Sequence, residues 1–300
     1  MTFTTRIKEE ITSIEPNILD ARIELLAYLK FASIKENNKI NIYIENPNVA
    51  RYIYKLIKIN YNISINLTVR TQKKFKIKKV YILSLKQKID IIESDISLVF
   101  NSITDSSFEE ISAFLRGTFL CNGSINDPSK SKYHLEFLID NKEYAELINN
   151  LLLSIKFHSK IIKRDKGYMV YIKISEEISD FIKILGATNS LFYYEDIRIY
   201  RDHKNMVNRL NNCEQANIEK SMNSSLEQIN NINYLKDNDM IDLLDDKIKT
   251  VISYKEKYPE TTMNELAYII NMETDINVSK SCINHYFRKI KDLVNKSKKN

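Results

Sequence analysis

Apolar side chains at Ile18, Ala21, Leu25, Leu26 and Leu29 recur at helical spacing, which predicts a helix over 17–34 opening just after Pro16. The run KINIYIE then alternates apolar and polar residues with period two and reads as a half-buried strand. Pro47 opens a second helix over NVARYIYKLIKI. Two β-rich runs follow, ISINLTVR and KKVYILSL, on either side of the basic stretch QKKFKIKK. The next hundred or so residues repeat the order. SFEEISAFLRGTFLCNG is a helix with Ser107 and Glu110 spaced as a capping box. YHLEFLID is a strand, KEYAELINNLLLSI a helix, HSKIIKR and KGYMVYIKI strands, and SEEISDFIKILG a helix with Gly186 as its C-cap. The repeated unit therefore reads helix, strand, helix, strand, strand, helix. Leu25 with Leu115, and Tyr81 with Tyr171, mark an offset of about 90 residues.

From Asn189 the chain turns polar, Asn-rich and helical, with a further helix over about 224–235 and an acidic, weakly patterned linker near Asp237. The last sixty or so residues form a helical unit. DDKIKTVISYKEKY is stopped by Pro259, TTMNELAYIIN carries a capping box at Thr262 and Glu265, and VSKSCINHYFRKIKDLV is N-capped by Ser279. Two short helices joined by the turn at 272–276 are a helix-turn-helix arrangement. In the last helix Ile283, Phe287, Ile290 and Val294 share an apolar face. The opposite face and first turn carry Ser279, Lys280, Ser281, Asn284, His285, Arg288 and Lys289. Asn reads adenine through two hydrogen bonds, Ser and His reach base edges, and Arg and Lys hold guanine or phosphates. The competing reading is a solvated charged face on an ordinary bundle.

Composition adds little that is specific. The 300 residues allow two or three domains, and 45 Lys+Arg against 39 Asp+Glu leave a formal charge of +6, which suits an anionic partner without requiring one. Cys121, Cys213 and Cys282 are far apart and form no CxxC pair, so neither a zinc site nor a disulfide framework is expected. The N-terminal residues lack a signal-peptide core, and no run reaches the length of a membrane span. The expectation is a cytoplasmic, nucleoid-associated protein with no membrane partner and no cofactor.

Glycine is scarce, with four in the chain, yet two lie in FLRGTFLCNG. A glycine inside a helix costs about 0.5–1 kcal/mol against alanine, so Gly117 marks a close approach. LLAYLKFAS (Leu25–Ser33) and LRGTFLCNG (Leu115–Gly123) resemble the LAGLIDADG motif of homing endonucleases. The resemblance implies two helices packed at touching backbones, with Ala27 and Gly117 as the small residues that permit contact. Metal-binding carboxylates fall at the eighth motif position in that family, where this chain has Ala32 and Asn122. The metal ligands are missing from both copies, so no catalytic residue is expected. Asp127 and Asp140 lie nearby, although Asp127 precedes Pro128 as a turn former.

Beyond the motif, the stretches around Phe114–Phe137, Glu177–Lys220 and Val278–Ile290 resemble the WhiA family of bacterial regulators. The most specific run is Asn208–Asn217. Two positions depart from the family pattern: Asn122, polar where a small residue is usual, and Cys282, where a glycine is familiar. The resemblance implies an α+β fold: a duplicated, degenerate LAGLIDADG scaffold followed by an all-α helix-turn-helix domain. It also implies a DNA-binding role in cell division, chromosome segregation and, in some bacteria, sporulation. The expected division is 1–95 and 96–220 for the repeats, 221–240 for a helical linker and 241–300 for the helix-turn-helix.

Secondary DNA contacts are expected from the scaffold at Lys73, Lys74, Lys76, Arg201, Lys204 and Arg209. Asn205, Asn208 and Asn212, three and four residues apart, are read first as capping a buried helix junction. Taken together, these features describe a DNA-binding regulator acting on transcription without nuclease activity, whose partners are DNA and another regulatory protein. Two alternatives stand beside it: a protein-interaction scaffold with incidental DNA binding, and a metal-dependent nuclease with displaced acids.

Overall fold

The structure is a computed structural model of the chain and describes residues 2–15, 17–36, 38–72 and 78–298. Two compact units appear, Met1–Asp202 and His203–Asn300. The first opens with α1 (Phe3–Ser13), a helix absent from the sequence reading, N-capped by the Thr2 hydroxyl and burying Phe3, Ile7 and Ile11. Two versions of one motif follow. The first runs α2 (Ile18–Ala32), β1 (Ser33–Glu36), β2 (Lys39–Ile44), α3 (Pro47–Tyr61), β3 (Ile65–Gln72), β4 (Lys78–Leu85) and α4 (Ile89–Ser102). The second runs α5 (Phe108–Asn122), β5 (Gly123–Ile125), β6 (Leu135–Ile139), α6 (Lys142–Ser154), β7 (Lys160–Arg164), β8 (Gly167–Ile172) and α7 (Ser175–Ile184). Each motif builds an antiparallel four-stranded sheet, ordered β1-β2-β4-β3 and β5-β6-β8-β7. The repeated unit therefore has one more strand than the hydrophobic pattern predicts. Both extra strands follow their helix without a single loop residue, so no turn signal announces them.

Strand register corrects one of the two equivalences. Ser33 and Gly123 pair with Ile42 and Phe137, which pair in turn with Leu83 and Val170. On this ladder Tyr81 opposes Ile44 and Tyr168 opposes Ile139, so Tyr81 corresponds to Tyr168 and not to Tyr171. The match of Leu25 to Leu115 holds, because α2 and α5 end at Ala32 and Asn122.

One core fills the first unit. Ile40, Ile42 and Ile44 from one sheet and Leu135, Phe137 and Ile139 from the other pack on helices that include α2 and α5. Where α2 meets α5, a Cβ placed on Gly117 would lie 2.1 Å from the Glu24 carbonyl oxygen and 3.1 Å from Ala27 Cβ. The glycine is required because backbone meets backbone there. A Cβ on Gly123 would fall 2.1 Å from Phe119 Cδ2, so this second glycine makes room for a buried aromatic ring at the helix end. The expected capping box closes at α5: the Glu110 N–H donates to Ser107 Oγ at 3.3 Å, and the Ser107 N–H donates to the Glu110 carboxylate at 2.9 Å.

Helix α8 (Thr188–Asp237) is continuous over 50 residues, so the break expected before Ser224 does not occur. Its first turn is held by α1, whose Glu10 carboxylate accepts the N–H groups of Asn189 (2.5 Å) and Ser190 (3.0 Å). Asn205, Asn208 and Asn212 are exposed, which overturns their reading as caps of a buried junction: the helix does not stop there. The second unit packs α9 (Asp246–Lys257), α10 (Met263–Glu273) and α11 (Lys280–Ser297) around a core of its own. Ile232 and Leu235, near the end of α8, belong to that core. Among the described residues no helix is long and apolar enough to cross a membrane.

Candidate nucleic-acid interface

The amphipathic split read from the sequence is present in α11. Ile283, Phe287, Ile290 and Val294 are buried, while Ser279, Lys280, Ser281, Asn284, His285, Arg288 and Lys289 are all exposed. The Ser279 hydroxyl accepts the Cys282 N–H at 3.3 Å and so fixes where the helix starts. The preceding α10 closes its own capping box between Thr262 and Glu265.

The angle between α10 and α11 depends on a residue that the sequence reading passed over. Asn271, in the last turns of α10, donates from Nδ2 to the Val278 carbonyl at 2.9 Å and accepts the Val278 N–H on Oδ1 at 2.7 Å. This two-bond clamp holds Val278 in the core and closes the turn just before Ser279. An asparagine seven residues ahead of the buried valine was the available signal. Lys289 is drawn into an exposed ion pair with Asp245 at 3.3 Å, which is worth little in solvent. Lys280 and Arg288 make no ion pair among the described residues.

The scaffold candidates separate. Arg201 donates to the Ser131 carbonyl at 3.0 Å and lies 5.3 Å from the centre of the Tyr133 ring, so it is engaged within the first unit. Lys204 and Arg209 are exposed on α8 with no ion pair among the described residues. Lys73, Lys74 and Lys76 lie outside the described residues. The sequence did not single out the face of the first sheet that turns away from the helices. Cross-strand register puts Asn41, Ser84 and Asn66 on it, with Thr68 and Arg70 alongside.

Ala32 and Asn122 are the last residues of α2 and α5. Ala32 has no side-chain ligand and Asn122 offers only a neutral amide, so neither suits a divalent ion that seeks anionic oxygen. Next to Asn122, burial pushes the Cys121 thiol up to about 12 despite the pull of Lys8, so it stays protonated near neutral pH. Asp127 forms the expected turn. It accepts the Ser129 N–H at 2.9 Å, the Ser129 hydroxyl at 2.7 Å and the Tyr193 hydroxyl at 3.2 Å. Burial works to raise its pKa, but these hydrogen bonds hold it below the ordinary value.

Comparison with known proteins bears on this arrangement directly. Family models match in three consecutive blocks: the WhiA N-terminal LAGLIDADG-like domain over residues 20–99, the WhiA LAGLIDADG-like domain over 111–204, and the WhiA C-terminal HTH domain over 207–294. Proteins named "Probable cell division protein WhiA" from Bacillus cereus (strain AH187) and Bacillus anthracis (strain CDC 684 / NRRL 3495) are each 38% identical over 309 residues. Each match spans 99% of this chain and 97% of the relative. The crystal structure of full-length DUF199/WhiA from Thermatoga maritima superposes with a TM-score of 0.58 at 24% identity, covering 99% of both chains, which supports the fold.

Proposed function

This chain belongs to the WhiA family, and from that premise we propose that it is a non-enzymatic regulator that binds DNA through α11 and acts on transcription in cell division and chromosome segregation. The observation that carries this reading is the exposed polar and basic face of α11, presented by a clamped helix-turn-helix with its apolar face buried. In such motifs the N-terminal part of the second helix reaches base edges while the first helix crosses the backbone. Ser281, Asn284 and Arg288 take the base-reading positions, and Lys280, His285 and Lys289 flank them. Lys204 and Arg209 add backbone contacts from α8. The repeats over 1–95 and 96–220 form the scaffold, residues 221–240 form the helical connection with Ile232 and Leu235 docked in the last core, and 241–300 form the reader.

Loss of nuclease chemistry rests on side-chain identity at Ala32 and Asn122. Purified protein mixed with supercoiled plasmid and Mg²⁺ is expected to leave it intact while binding it in a salt-sensitive way; nicked product would mean that other acids hold the ions.

For the reader, Asn284→Ala and Arg288→Ala are each expected to cost about 1–3 kcal/mol on a selected site and to relax preference at one base position. Site selection from a random DNA pool, followed by binding titrations at fixed salt, measures both. Unchanged selectivity in both variants would remove α11 as the reader.

A further inference from the structure

A groove of about 440 Å³ opens in the second unit between α8, the start of α10 and the first residue of α11. Its walls include Lys220, Ser221 and Ser224 from α8, Thr262 and Asn264 from α10, and Lys280 from α11. Lys255 also lines it, so three lysines and no Asp or Glu are among its lining residues. Glu265, in the first turn of α10, is turned to the Thr262 N–H at 2.8 Å.

The walls are fixed and the cations at the rim are unspent. Lys255 is 2% exposed, and its ammonium donates to the carbonyls of Pro259 (2.8 Å) and Thr261 (3.0 Å), pinning the turn that starts α10. From α8, the Ser225 hydroxyl donates to the same Pro259 carbonyl. Several lysines of this unit are neutralised by carboxylates: Lys236 by Glu256, Lys249 by Asp242, Lys257 by Glu273 and Lys291 by Glu227. Lys220 and Lys280 face one groove from two different helices and have no ion pair or side-chain hydrogen bond among the described residues.

We propose that this groove seats a backbone phosphate of DNA, held between Lys220 and Lys280 with the Ser221 and Ser224 hydroxyls beside it, and so sets the register of α11 on its site. The inference rests on the DNA-binding reading above and adds α8 to the grip. Two lysines on a prebuilt wall suit a dispersed, doubly contacted phosphate oxygen better than a base edge. Because Lys280 is also the first residue of α11, a phosphate anchored there ties the backbone to the end of the helix that reads.

The test uses the full chain with a selected-site duplex and a random duplex of equal length, titrated across 50–300 mM salt. Lys220→Gln is expected to weaken binding to both duplexes by the same factor, leave their ratio unchanged and lower the log–log salt slope by about one, the signature of one lost phosphate contact. Lys183→Gln, which removes the same charge from exposed Lys183 on α7, serves as the control. A Lys220→Gln slope indistinguishable from that of Lys183→Gln would overturn the phosphate site, as would a changed ratio between duplexes. Failure of the wider reading is separately visible: there, Asn284→Ala and Arg288→Ala leave selectivity untouched while the wild-type chain binds with no salt dependence.

Discussion

Gly117→Ala is expected to destabilise the first unit by about 3 kcal/mol or more, although alanine is the better helix former by roughly 1 kcal/mol. The new methyl would sit 2.1 Å from the Glu24 carbonyl oxygen and 2.9 Å from its carbonyl carbon, and both obstacles are backbone. A flexible side chain could swing away; a helix cannot. Relief therefore requires α2 and α5 to move apart, which opens the packing of Leu25, Leu26, Phe114 and Leu115, all fully buried. For a unit of this size each kcal/mol lowers Tm by about 2–4 °C, so thermal unfolding followed by circular dichroism should show a drop of about 6–12 °C. Adding Ala27→Gly is not expected to restore it, since Ala27 Cβ is 3.1 Å away and the carbonyl remains. A variant as stable as the wild type would show that the helices do not meet at this point.

That close approach was legible in the chain because glycine is rare there and one sits among apolar residues at helical spacing. Capping residues were legible for a similar reason: Ser107, Thr262 and Ser279 act on backbone N–H groups three residues away, so local sequence carries the whole signal. The reading face of α11 followed from period alone. What failed to show was structure without its usual punctuation. Strands β1 and β5 begin at Ser33 and Gly123 directly after a helix, with no turn residues between. Helix α1 carried Phe3, Ile7 and Ile11 one turn apart, a periodicity present but attributed to no element. The slip from Tyr171 to Tyr168 arose because matching by offset assumes equal loop lengths, and the two motifs do not have them. The groove at Lys220 and Lys280 was out of reach altogether: sixty residues separate two side chains that only the packing of α8 against the last helices brings together.

A second large effect follows from the charge buried at the same helix contact. Glu24 is fully buried on α2, with one carboxylate oxygen 3.4 Å from Arg116 of α5 and the other without a hydrogen-bond partner. Burial pushes its pKa up to about 7, against the opposing pull of Arg116 and the Tyr52 hydroxyl; Asp20 adds to the rise. Between pH 4.5 and 7 the folded chain therefore holds a proton at Glu24 that the unfolded chain has released. Stability falls as pH rises through that window and levels off above it, by on the order of 3 kcal/mol in all for this group. Glu24→Gln should remove the slope, because the amide has nothing to titrate. Arg116→Ala should act in the opposite sense. Without the guanidinium Glu24 stays protonated to higher pH, and the added loss at pH 8 is limited to the cost of protonating a group with a pKa of about 7, about 1.4 kcal/mol. At pH 5 the loss should be much smaller, because a protonated Glu24 needs no cation. Arg116 also donates to the Ile184 carbonyl at 3.3 Å, so a modest pH-independent cost remains. Urea unfolding of the three proteins at pH 5, 6, 7 and 8 separates these contributions. A wild-type curve parallel to that of Glu24→Gln across the range would mean that Glu24 keeps an ordinary carboxylate pKa and that the contact between the helices carries no buried proton.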